Sequence, residues 1–165
     1  MSIRFLATLQ SDLSMEEPIK FYSVADEYGE FSNFANYPIR LKGKLWPTSE
    51  HYFQAMKFES SKDQESIRKA KSPMEAARKG RDRKKKILRN WESAKVNVMR
   101  DAVKAKFSQH ENLKSLLLST GQAKLIEHTE NDAYWGDGGD GKGKNMLGRI
   151  LMQIRDELAD QIGAN

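Results

Sequence analysis

At 165 residues, with 38% hydrophobic and 9% aromatic residues, the chain is the size of one domain and carries enough apolar bulk for one packed core, which excludes a disordered polypeptide. No apolar run approaches the ~20 residues that span a bilayer, and Met1 to Pro18 lacks the apolar stretch and cleavage site of a secretory leader, so a cytoplasmic protein with no membrane partner is expected. Cysteine is absent, the three histidines are scattered, and the net charge is +5; disulfides, thiolate nucleophiles and metal clusters are therefore not expected, and an anionic ligand suits the balance.

In chain order, Met1 to Glu17 has no stable period and ends at Pro18, which reads as a mobile extension ahead of a single domain over 18–165. Ile19 to Val24 is rich in β-branched and aromatic residues and predicts a strand. Pro38 to Trp46 repeats that character around Lys42-Gly43-Lys44, the centre of a short hairpin. Thr48 or Ser49 starts a helix running to about Phe58. Ser72-Pro73-Met74-Glu75 starts another that should stop at Gly80. Asn90 opens a long helix to about Ser108, on which Met99, Ala102, Val103 and Phe107 form one apolar stripe. Glu111 to Ser119 follows, closed by Gly121, and a last helix from Asn145 to about Gln161 buries Leu147, Ile150, Leu151, Ile154 and Leu158. Helices outnumber strands, and the strands cluster early, so the expected class is α+β: one helix-rich domain with a small antiparallel sheet from the N-terminal half.

Three segments have the residue types that chemistry needs. On the helix after Thr48, Glu50, Gln54 and Lys57 are spaced four and seven apart and share one face, with the carboxylate about 10 Å below the amine along the axis. Such a stripe can line a ligand site; equally, Glu50 can serve the helix dipole while Lys57 is a solvated charge. In the second segment, Glu130 to Asn145, five glycines accompany Tyr134 and Trp135. Backbone free to approach a ligand at Gly136 and Gly138, followed by a helix N-terminus with Lys144 and Asn145, makes a candidate phosphate seat. The two aromatics offer a platform for a flat ring, or an anchor to the core. Gly136 to Gly141 also fits Gly-x-Gly-x-x-Gly, but without a βαβ context; a P-loop fails at Gly143, and an EF-hand fails at Gly139. The third segment, Arg78 to Arg89, is a basic run that either meets phosphates or is a solvated patch, and it lacks the interleaved aromatics of a single-strand binding platform.

Phe31-Ser32-Asn33-Phe34, the Trp46 to Phe58 block, Gly80-Arg81, Trp91, Lys106-Phe107, Glu127, Asp132-x-x-Trp135-Gly136 and Asn145-x-x-Gly148 together resemble the YbiA-like N-glycosidase family, also called the NADAR domain. The likeness spans about Ile19 to Leu158. It implies a mixed, helix-rich α+β fold and hydrolysis of early riboflavin-pathway intermediates, reactive aminopyrimidines joined to ribose phosphate, with water as the only co-substrate and no cofactor. Other members of the wider family remove ADP-ribose from guanine in nucleic acid. By matching motif positions, the resemblance makes Glu50, Lys57, Asp132 and Trp135 the functional set, with Asn33, Arg81 and Asn145 in support.

Those residue types suit the implied reaction. Breaking a ribosyl N-glycosidic bond builds positive charge on the sugar, which a carboxylate such as Glu50 stabilises while activating water. Asp132 can protonate the base or orient ribose hydroxyls, Trp135 can stack on the base, and Lys57 can hold phosphate or attack the anomeric carbon to form an imine. Two rival functions remain open: hydrolysis of ADP-ribose from guanine, and a non-enzymatic nucleic-acid-binding module built on Arg78 to Arg89.

Overall fold

The computed structural model describes residues 16–164. The extension expected over 1–17 therefore lies, for residues 1–15, outside the described residues. Strand β1 (Ile19–Phe21) is followed by a 3₁₀ turn over Gly29–Phe31 and by the hairpin of β2 (Ile39–Leu41) and β3 (Lys44–Trp46). The hairpin register is Ile39 opposite Trp46. Lys42 and Gly43 both take positive φ, 52° and 73°, the geometry of a tight turn whose twist matches the two strands.

Helix α1 (Ser49–Met56) is capped by the Thr48 hydroxyl, which accepts the His51 N–H. Seven of its eight residues are buried, because three other helices close around it: α2 (Ser61–Arg68), α3 (Pro73–Gly80) and α4 (Trp91–Gln109). Ser72 caps α3 through the Glu75 N–H, and Glu75 in turn accepts the Lys71 N–H, one residue before the expected partner. Helix α2 was not expected: of Ser-Lys-Asp-Gln-Glu-Ser-Ile-Arg only Ile67 is buried, so no apolar period marks it, and its capping residue Ser60 is the signal that remains.

Helix α5 (Glu111–Ser119) leads through Gly121 into strand β4 (Leu125–Glu127), and helix α6 (Met146–Gly163) closes the fold. Buried Arg155 of α6 donates to the Thr120 hydroxyl at 2.9 Å and the Ala123 carbonyl at 2.7 Å, fixing the turn that aims β4. The expected antiparallel pair is present, but a second, parallel pair joins β1 to β4, with Ile19 opposite Leu125 and Phe21 opposite Glu127. A three-residue strand bounded by Lys124 and His128 shows no alternation, and a parallel partner lies far away in sequence, so neither periodicity nor a turn signal announces it.

One hydrophobic core unites these elements, from Phe21 and Phe31 through Trp46, Tyr52 and Phe107 to the α6 stripe of Leu147, Ile150, Leu151, Ile154 and Leu158. Each such aliphatic side chain contributes on the order of 1.5–3 kcal/mol by leaving water. Among the described residues no helix is long and apolar enough to cross a membrane.

Candidate active site

The parallel pair sets the location of the site. The segments leaving the carboxyl ends of β1 and β4, the N-terminal turn of α1 and the C-terminal end of α3 supply walls of a cleft of about 800 Å³. Glu50, Glu127, Asp132, Arg81, Asn33 and Trp135 all line it. The structure therefore brings together the acid on α1, the acid after β4 and the aromatic of the glycine-rich segment, as the sequence spacing alone could not establish.

Glu50 is only 8% exposed. Its Oε1 accepts the Gln54 side-chain amide at 2.8 Å, one turn along α1. Burial pushes the Glu50 carboxyl up to about 7, opposed by the Gln54 hydrogen bond and the Arg81 guanidinium and assisted by Asp132. Its backbone N–H donates to the Asn33 carbonyl at 3.3 Å, and the Ser49 hydroxyl donates to Asn33 Oδ1 at 2.9 Å. Asn33 Nδ2 points to the Met99 sulfur at 3.2 Å. Asn33 thus ties its loop to the first turn of α1. Behind it, Lys106 is 1% exposed and donates to the Ser32 carbonyl at 2.8 Å; burial pulls its amine down to about 7.

Asp132 Oδ1 accepts the backbone N–H groups of Tyr134 and Trp135, both at 2.8 Å, a side-chain turn that presents the indole to the cleft. Trp135 packs edge-on against Phe53 of α1, with ring centroids 5.3 Å apart, and against Tyr134 at 5.0 Å. Trp135 is anchored to the core on one side, the second of the two alternatives for the aromatics, and lines the cleft on the other.

The phosphate seat expected at the start of α6 does not form as a free set of donors. The N–H groups of Gly143, Lys144, Asn145, Met146 and Leu147 are bonded to the carbonyls of Asp137, Ala133, Gly136, Tyr134 and Trp135 respectively. The loop folds back and caps the helix with its own carbonyls, which satisfies the donors that a phosphate would otherwise meet. Gly136, Gly138, Lys144 and Asn145 lie outside the lining of the main cleft. Asn145, at φ 51°, instead spans β4: its Oδ1 accepts the Glu127 N–H at 3.0 Å and its Nδ2 donates to the Leu125 carbonyl at 2.9 Å. A Cβ on Gly136 would meet the carbonyls of Asp132 and Glu127 at 2.9 Å, so a glycine is required by close packing there.

Lys57 also stands apart. It is the C-cap of α1, and its amine donates to the Gly80 carbonyl at 2.8 Å instead of lining the cleft. Burial lowers its pKa. Of the basic run, Arg81 reaches the cleft, whereas Lys79 is held by Ser66 and Glu75, Lys86 by Glu59, and Lys85 lies over the Phe58 ring. His51, next to the acid, is committed to structure: Nδ1 meets the Thr48 hydroxyl at 2.8 Å and Nε2 the Ala70 carbonyl at 3.0 Å. Because a carbonyl only accepts, Nε2 is the protonated nitrogen.

Glu127 was quoted in the family likeness but given no role from sequence. It ends β4 and lines the cleft, and burial, then Asp132, Glu50 and Asp137, push its carboxyl up to about 7. Tyr22, Val24 and Met74 were also missed; all three are exposed hydrophobics, and all stand at the cleft. Recognising β4 is what would have placed Glu127 beside the β1 exit. Among the described residues no group of three or more His, Asp or Glu side chains is placed to hold a metal ion.

This arrangement has counterparts among known proteins. Residues 20–159 match the family model described as NADAR domain. The chain is 64% identical over 141 residues to the N-glycosidase YbiA of Escherichia coli, covering 86% of this chain and 88% of that one. It is 43% identical over 151 residues to a riboflavin biosynthesis protein of Vibrio vulnificus, covering 92% of this chain and 41% of that longer protein. The NMR structure of E. coli YbiA superposes with a TM-score of 0.86 at 60% identity, covering 92% of this chain and 90% of that one. With Asn33, Glu50, Arg81, Glu127, Asp132 and Trp135 of the motifs around one cleft, and with likeness of this extent in both sequence and fold, the chain belongs to the NADAR domain family.

Proposed function

We propose that this protein hydrolyses the N-glycosidic bond between ribose phosphate and an aminopyrimidine base in reactive early intermediates of riboflavin biosynthesis. The chain is a hydrolase acting on N-glycosyl bonds, in keeping with the N-glycosidase relatives. The riboflavin assignment takes its support from the name of the Vibrio relative, a riboflavin biosynthesis protein. The single observation that carries the chemical reading is the buried Glu50 carboxyl sharing a cleft with Asp132 and Trp135.

In this reading the base lies against the Trp135 indole, whose edge is braced by Phe53. The ribose is held with its anomeric carbon towards Glu50, and the free Asp132 oxygen orients ribose hydroxyls. Arg81, at the end of α3, meets the phosphate. As the C–N bond lengthens, the Glu50 carboxylate stabilises the positive charge growing on the sugar and takes a proton from the attacking water. Lys57, through the Gly80 carbonyl, holds the turn that presents Arg81. A borohydride-stabilised substrate adduct on Lys57 would make it a nucleophile instead.

The test is a parallel assay of the purified chain on a ribosylaminopyrimidine phosphate and on an oligonucleotide bearing ADP-ribosyl-guanine. Release of ribose phosphate from the first, with little turnover of the second, is expected. The reverse preference would transfer the function to nucleic-acid repair. Salt-sensitive nucleic-acid binding with neither activity would favour the binding-module reading of Arg78 to Arg89.

A further inference from the structure

We propose that Glu127 is the general acid of this cleft, giving its proton to the departing base while Glu50 works on the sugar; the proposal rests on the N-glycosidase reading above. Glu127 is the last residue of β4, and its main chain is held from several sides. Its N–H donates to Asn145 Oδ1 at 3.0 Å, its carbonyl accepts the Asp137 N–H at 2.9 Å, and Gly136 packs against that same carbonyl. The pairing of Phe21 with Glu127 fixes the residue against β1. A side chain on so constrained a backbone, lining the cleft opposite α1, is a positioned group.

The neighbouring carboxyls are differently committed. Asp132 Oδ1 accepts two backbone N–H groups, Asp137 accepts the N–H groups of Thr129 and Gly139 and the His128 ring, and Glu50 Oε1 accepts the Gln54 amide. Among the described residues the Glu127 carboxyl accepts no hydrogen bond and pairs with no lysine or arginine. Donors aimed at an oxygen hold it as an acceptor, whereas an oxygen with none is free to carry a proton and present it to a ligand.

Charge points the same way. The cleft places three carboxyls, Glu50, Glu127 and Asp132, beside the single guanidinium of Arg81, so full ionisation would oppose an anionic sugar phosphate. The charges that act on Glu127 are those of Asp132 and Asp137 from the loop after β4 and of Glu50 from α1; Arg81 and Tyr22 share the cleft lining, His128 is bonded to Asp137, and α6 contributes the neutral Asn145. Glu50 and Glu127 are both pushed up to about 7, and such neighbours titrate as a pair. The Gln54 hydrogen bond and Arg81 favour the negative charge on Glu50, which leaves the shared proton on Glu127.

The step balances. The bond from the anomeric carbon to the base nitrogen breaks, its electron pair stays on the nitrogen, and the nitrogen takes the Glu127 proton. Water adds its oxygen to the anomeric carbon and passes a proton to the Glu50 carboxylate. Glu127 ends as carboxylate and Glu50 as acid, and one proton exchanged between them through solvent resets the pair.

The experiment compares leaving groups in wild type, Glu127→Gln and Glu50→Gln. The substrates are a ribosylaminopyrimidine 5-phosphate, whose base needs a proton to depart, and 4-nitrophenyl ribofuranoside 5-phosphate, whose phenolate leaves without one. Glu127→Gln is expected to lose about 100-fold in kcat on the first and no more than roughly threefold on the second, and to lose the alkaline limb of the pH profile. Glu50→Gln is expected to lose both activities. Retained cleavage of the nitrophenyl substrate also certifies that Glu127→Gln is folded. If that variant does not fold, Glu127→Asp makes the same comparison, a displaced acid slowing the aminopyrimidine substrate alone. Equal losses on both substrates, or an unimpaired Glu127→Gln, would overturn the assignment. A wild-type protein inactive on every ribosyl phosphate would instead defeat the N-glycosidase reading, and this proposal with it.

Discussion

The side-chain amide of Gln54 holds Glu50 Oε1 at 2.8 Å, and the far side of that same amide packs against Gly80 at the end of α3. A Cβ on Gly80 would run into Gln54 Oε1. The acid is thus oriented by a second helix through one intermediary. Glu50→Gln keeps the shape of the side chain but removes the charge. Its turnover on a ribosyl phosphate is expected to fall by at least about 100-fold, with an unchanged circular dichroism spectrum. Kinetics within a few fold of wild type would take Glu50 out of the mechanism.

Gln54→Met tests the intermediary. A hydrogen bond to the carboxylate lowers its pKa, so losing the bond raises the Glu50 carboxyl further above its ordinary value near 4.5. Because the proposed reaction uses the Glu50 carboxylate, the acid limb of the rate profile is expected to move to higher pH. A limb that stays in place would show that Gln54 does not set the ionisation of Glu50.

Gly80→Ala should act on the same pair without touching either residue. The added methyl displaces the Gln54 amide, and kcat is expected to drop by roughly tenfold, a typical cost of misplacing a positioned group. The double variant Gly80→Ala, Gln54→Met should be no worse than Gln54→Met alone. Additive losses in kcat would mean that Gly80 acts through another neighbour, such as Lys57 on its carbonyl.

Stability should depend on pH in two windows of opposite slope. Glu50 and Glu127 keep their protons up to about 7 in the folded protein but release them near 4.5 when unfolded. The native state then holds more protons between those values, and each carboxyl's contribution falls as pH rises, by up to about 1.4 kcal/mol per pH unit. Lys106 is the converse, with its amine pulled from 10.5 to about 7, so its contribution rises from pH 7 to 10.5. Urea titrations are expected to show wild type losing stability relative to Glu50→Gln from pH 4.5 upwards, and gaining relative to Lys106→Met above pH 7. A difference curve without slope in either window would contradict the burial of that group.

Trp135→Ala is expected to raise KM by roughly tenfold or more, the scale of one base stacked on an aromatic ring, while Trp135→Phe recovers most of the loss. Isothermal titration with the product ribose phosphate should be nearly unaffected, since the base is absent. A parallel loss for the base-free ligand would place Trp135 against the sugar.

Much of this architecture was legible in local signals. Thr48, Ser72 and Gly121 mark element ends, and the α6 stripe repeats apolar side chains at helical spacing, so five helices and the hairpin could be anticipated from neighbouring residues alone. What was not legible depended on distant partners. Strand β4 exists because Leu125 finds Ile19, and α2 because Ile67 reaches the core from an otherwise polar segment. The candidate site divides in the same way. Glu50 and Trp135 stood out by residue type, Glu127 was obscured by the missing strand, and the phosphate seat failed because the donors at 143–147 find carbonyls in their own loop.

The pairing of Ile19–Phe21 with Leu125–Glu127 has a consequence for how the enzyme comes into being. β1 precedes helix α1 in the chain and β4 follows it by some seventy residues, so the acid on α1 gains its opposite wall only when a segment distant in sequence docks beside β1. A fragment that stops short of β4 lacks Glu127, Asp132 and Trp135 together, and so folds, if at all, without the half of the cleft that faces β1.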